Sequence, residues 1–177
     1  MRERGKTTRR LVVSALLSAL GVVLLMLGSL VQVLDLSMAA IVSLFVVFAV
    51  IEIRGPYPWL IYIVTSVLSL LLLPIKTPAL VYAAFAGYYP IFKSVLERRL
   101  RAPVAWVLKI VLFGIALAVA VVVAAKVLLM DLTWVLANWW IFALAVPVFV
   151  LYDVGLTRLI CAYFDRLQDR FRFLKLR

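Results

Sequence analysis

The sequence predicts an all-α integral membrane protein of six transmembrane helices, with both chain ends in the cytoplasm. Three observations predict it. Of the residues, 67% are hydrophobic and only 15% are charged, whereas a soluble domain is about half apolar and about one quarter charged. The apolar residues fall in long continuous runs closed by prolines or charges. The basic residues gather at alternate ends of those runs. With a mean hydropathy of +1.17 over 177 residues, the chain has far more apolar surface than a water-soluble fold of its size can hide. Lipid is therefore its solvent, and by length it is a single domain.

Crossing the hydrocarbon core takes about 20 apolar residues in a helix. The first run spans 11–34 and stops at Asp35. The second spans 36–53 and ends in Glu52, Arg54, Gly55 and Pro56. The third, 59–73, is short but apolar throughout, and Pro74, Lys76 and Pro78 separate it from the fourth, 78–101. The fifth spans 104–130 and stops at Asp131. The sixth spans 134–163, and a polar tail, 164–177, follows. Helices are the reading because backbone groups in lipid must be satisfied within the segment or in a closed barrel. A barrel would alternate polar and apolar residues in strands of about ten, and these runs are continuous.

Charge sets the orientation. Arg2, Arg4, Lys6, Arg9 and Arg10 precede the first helix, and Arg54 lies in the second turn. Lys93, Arg98, Arg99, Arg101 and Lys109 surround the fourth turn. Arg158, Arg166, Arg170, Arg172, Lys175 and Arg177 close the chain. Of the 19 lysines and arginines, only Lys76 and Lys126 fall on the other side. The positive-inside rule then puts both termini in the cytoplasm of a bacterial inner membrane. An even number of helices requires the same.

Composition also excludes functions. The net charge of +11 suits anionic headgroups rather than nucleic acid, because the charges sit at helix ends and form no basic groove or recognition helix. There is no histidine and one cysteine, Cys161. The usual transition-metal sites and histidine-based catalysis are thereby removed, and Cys161 reads as a small packing residue. No Walker motif, no nucleophile–base pair and no midplane carboxylate pair is present, so neither an enzyme nor a resident cofactor is expected. The first run is too long for a cleavable signal peptide and lacks a cleavage site.

Three groups of residues are candidates for function. The first helix carries a seam of small residues, Ser14, Ser18, Gly21 and Gly28, beside the pair Ala15 and Ala19. Small residues let helices approach closely in lipid, and the seam serves either packing within the chain or docking to a partner. Near the cytoplasmic interface, Glu52, Arg54, Lys93, Lys109, Asp153 and Arg158 form either an ionic collar that fixes topology or a coupling cluster. Toward the outer face lie Gln32, Asp35, Lys76, Tyr82, Lys126, Asn138 and Trp139. A few convergent polar groups among apolar walls describe a small-molecule pocket, while Trp and Tyr at this level also form an aromatic belt. The tail carries Phe164, Leu167, Phe171 and Leu174 at helical spacing and reads either as an interfacial amphipathic helix or as the snorkelling end of the sixth span.

The topology and the stretch RRLVVSALLSAL (Arg9–Leu20) resemble the S components of energy-coupling factor transporters, small membrane proteins that bind a vitamin or related micronutrient. The resemblance implies an S-component-like six-helix bundle. It also implies work with a membrane coupling subunit and two ATPase subunits, and coupling-subunit contact through Ala15 and Ala19, with Ser14 and Ser18 beside them. The very short first outer loop and the sparse polar groups of the outer face depart from the better-known members and imply either a fairly apolar ligand or a fold kept for another job. A second resemblance, in size, apolar content and short loops, is to cell-shape proteins of the MreD type, which implies a membrane scaffold without a ligand pocket.

Overall fold

The computed structural model describes residues 2–31, 34–53, 55–127 and 140–166. Every regular element among them is helical: α1 (Arg2–Leu30), α2 (Asp35–Phe48), α3 (Tyr57–Leu72), α4 (Thr77–Val81), α5 (Tyr89–Arg99), α6 (Ala102–Val127) and α7 (Trp140–Arg166). Two π turns, Ala49–Ile53 and Tyr82–Ala86, extend α2 and α4. Among the described residues, five stretches are long and apolar enough to cross a membrane: Thr7–Leu30, Asp35–Ile53, Thr77–Arg98, Pro103–Val123 and Ala143–Tyr163. A shorter apolar helix, α3, has 16 residues, about 24 Å at 1.5 Å per residue, and falls short of the roughly 30 Å hydrocarbon core.

Proline placement explains where the helices begin. Pro58, Pro78, Pro90 and Pro103 each stand at the second residue of a helix, where the missing N–H costs no intrahelical bond. Gly55 closes the α2–α3 turn at φ 71°, a left-handed conformation open to a residue without Cβ. At the other end of α3, Leu73 turns extended (ψ 135°) before Pro74, as the residue before proline favours. The basic head of the chain belongs to α1 itself, so that helix starts nine residues before the apolar run.

The chain divides into two compact units, one over 1–120 and one over 121–175. In the first, α1 packs on α2 and α3. The contact is close because Gly21 faces Val42 and Thr65, where a Cβ would sit 3.0 and 3.2 Å from their methyl carbons. Gly28 meets Met38 in the same way. Three serine hydroxyls in this apolar layer are satisfied inside their own helices, while Thr65 Oγ1 is buried with no hydrogen-bond partner among the described residues. Ser14 donates to the Arg10 carbonyl, Ser18 to that of Ser14 and Ser43 to that of Ala40. Such back-bonding lets serine sit in a tight helix interface without a partner across it. In the second unit, one stripe of α7 (Phe149, Asp153, Leu156) is buried, and Thr157 Oγ1 donates to the Asp153 carbonyl.

The predicted fourth helix is not one continuous α-helix. The chain runs through α4, the π turn and a turn at Gly87–Tyr88 before α5 starts. Gly87 N–H reaches back five residues to the Tyr82 carbonyl. Aromatic rings fill the break: Tyr62 stands edge-on to Tyr88, and Phe85 packs on Tyr89 and Phe113. Tyr62 Oη donates to the Ala83 carbonyl at 2.8 Å. No side chain fits at position 87, where a Cβ would lie 2.5 Å from the Tyr62 ring and 2.9 Å from that of Tyr82. Gly87→Ala is expected to lower stability by about 1–3 kcal/mol through overpacking, read as a lower melting temperature in detergent. Gly114→Ala is the matched control. Its Cβ meets nothing within 4 Å, so this variant should melt at or above the wild-type temperature.

Candidate functional site

The small-residue seam of α1 splits into two faces. Ser14 and Ser18 are fully buried (0% and 1% exposed) and belong to the layer of α1 on α2 and α3. Ala15 and Ala19, one residue on and about 100° around the helix, are exposed. Leu11, Val12, Leu16, Leu20 and Val23 accompany them as exposed apolar residues. The inward stripe therefore serves the chain's own packing, and the outward stripe presents the small pair to the surroundings.

The outer-face candidates do not share one environment. Lys76 Nζ donates to the carbonyls of Leu70 and Leu73, each at 2.7 Å. These are among the last carbonyls of α3, which lack amide partners within the helix, and a cation there also suits the helix dipole. Tyr82 is fully buried beside Tyr62 and Gly87. Asp35 is the first residue of α2, with Oδ1 buried and no hydrogen-bond partner among the described residues. Lys126 is exposed near the end of α6, in the second unit. Gln32, Asn138 and Trp139 lie outside the described residues.

The ionic candidates are better organised. Lys93 on α5 and Lys109 on α6 are both buried, and both point at one oxygen, Glu97 Oε1, at 3.1 and 2.6 Å. Glu97 is 43% exposed, so it covers the two ammonium groups from the outside. The Lys109 ammonium also stands 5.2 Å from the centre of the Trp106 ring, a cation–π distance. Counted along their helices, Lys93 lies about 7 Å inside Arg98 and Lys109 about 9 Å inside Pro103. Charges at that depth are stable only when paired. Glu52 is half-buried in the π turn ending α2, and Asp153 is buried on α7 in the second unit. Arg54 lies outside the described residues.

Sequence reasoning missed Glu97 and Trp106. The Lys93–Glu97 spacing of four residues was the available signal, since i and i+4 meet on one helix face. The cluster has the chemistry of an ionic clasp that fastens α5 to α6. Among the described residues no three of Asp, Glu and Cys come together as a metal-ligand group. Glu97→Gln should cost about 1–3 kcal/mol, reduced from the value for a fully buried pair because the carboxylate is partly exposed. Thermal unfolding in detergent checks this, and Glu97→Asp should recover part of the loss. No protein-family model matches the chain, no curated protein is significantly similar to it, and no solved structure matches its fold.

Proposed function

We propose that the protein is a six-pass membrane subunit of the bacterial inner membrane, N-in and C-in, that works by docking to another membrane protein. Its proposed specific form is the substrate-binding S component of an energy-coupling factor transporter. That subunit takes up a fairly apolar micronutrient with a coupling subunit and two ATPases and catalyses no reaction itself. One observation carries the docking: Ala15 and Ala19 are exposed while their neighbours Ser14 and Ser18 are consumed by internal packing. A small outward pair on an otherwise leucine-rich face lets a second helix come close. The six passes rest on α3 spanning as a short helix, with local bilayer thinning making up the mismatch. The bias of lysine and arginine supports the orientation.

A second reading is a scaffold of the MreD type. The observation favouring it is that Lys76 caps α3 and Tyr82 is sealed among rings, which leaves fewer outer-face groups for a ligand. Asn138→Leu discriminates between the two. Loss of uptake with normal insertion supports the transporter form, and unchanged function supports the scaffold.

Two further outcomes are expected. The double variant Ala15→Leu/Ala19→Leu should insert and melt normally yet lose its partners in affinity purification; undiminished co-purification would contradict docking through this face. Alkaline phosphatase fused after residue 177 should be inactive, and green fluorescent protein at the same point should fluoresce. Active phosphatase there would overturn the assigned orientation.

A further inference from the structure

We propose that the α5–α6 turn is a binding site for an anionic phospholipid headgroup. Between positions 93 and 109 the chain carries Lys93, Arg98, Arg99, Arg101 and Lys109 against a single acid, Glu97. That acid is committed inward, to Lys93 and Lys109. Arg98 and Arg101 are exposed, and among the described residues no carboxylate stands within ion-pair distance of either. Two guanidinium groups are thus held three residues apart at the mouth of a hairpin whose own counter-ion is already used.

The surroundings specify a lipid. Arg101 lies just before the apolar stretch Pro103–Val123, and Arg98 ends the stretch Thr77–Arg98, so both arginines stand at the level where headgroups lie. Leu100, Val104 and Val107 are exposed apolar residues on the same turn and the start of α6, and they offer the surface an acyl chain would follow. Trp106 is 38% exposed, and its ring is backed by the Lys109 ammonium. An indole held in this way suits the glycerol level, apolar in body and polar at the N–H. Guanidinium forks fit a phosphate diester in a bidentate manner. The Glu97 clasp positions the site by fixing α5 against α6.

The test is native mass spectrometry of the full-length protein titrated with phosphatidylglycerol in mixed micelles, with phosphatidylcholine as the neutral reference. Phosphatidylglycerol should be retained preferentially. Arg98→Gln/Arg101→Gln should weaken its binding roughly thirtyfold, from the usual contribution of a basic residue at an anionic surface. Arg98→Lys/Arg101→Lys should keep most of the affinity. Arg9→Gln/Arg158→Gln removes the same charge from exposed positions elsewhere and should leave binding unchanged. Equal loss in the two glutamine variants would reduce the effect to diffuse surface charge and overturn the site. Unchanged binding in Arg98→Gln/Arg101→Gln, or equal retention of the two lipids by the wild type, would overturn it as well.

Discussion

The close approach of α1 to α2 and α3 is the constraint on which the described fold of the first unit depends. In lipid there is little hydrophobic gain from bringing two apolar helices together, so the driving force is dense contact between their surfaces. Gly21 supplies that contact by letting α1 meet a residue from each of its two neighbours, Val42 and Thr65, at van der Waals distance. Ser14 and Ser18 extend the flat face toward the basic end of α1, and their hydroxyls turn back onto carbonyls of the same helix. With that stripe committed inward, Ala15 and Ala19 lie about 100° around the helix, and no described neighbour covers them: both are exposed.

The remainder of the first unit is organised by different physics. The break at Gly87–Tyr88 is tolerated at membrane depth because it is enclosed by protein. Tyr62 supports it twice, with its ring against Gly87 and its hydroxyl on the Ala83 carbonyl. Beyond the break, α5 and α6 are joined by charge rather than by fit, through the Lys93–Glu97–Lys109 clasp. Packing therefore dominates where α1 meets α2 and α3, aromatic filling dominates at the helix break, and electrostatics dominates at the α5–α6 turn.

Much of this was legible in the sequence, for physical reasons. Run length and hydropathy betray helices in lipid directly, and the starts of four of them were marked by proline. The seam on α1 was also visible, but its division was not. Ser14/Ser18 and Ala15/Ala19 have the same spacing, and only the packed neighbours decide which pair is buried. The helix break escaped because GYYP reads as part of an apolar run, although a glycine three residues before a proline was a usable sign. Lys76 stands among the outer-face polar groups by sequence, and in the structure its ammonium holds the end carbonyls of α3. A cation just past a helix C-terminus was the signal there. Tyr82 could be placed only once Tyr62 was known to lie beside it, a contact across 20 residues that no local pattern encodes. Glu97 shared a helix face with Lys93, but its second lysine came from α6.

The proposal that most needs testing is docking of a partner on the outward face of α1. The most direct measurement is photo-crosslinking in native membranes from a benzoyl-phenylalanine placed in turn at positions 15, 19 and 107, the last on the exposed face of α6. The account predicts a discrete adduct with a second membrane protein from positions 15 and 19 and none from position 107. Lipid-only products at all three positions, or the same protein adduct from position 107, would contradict it.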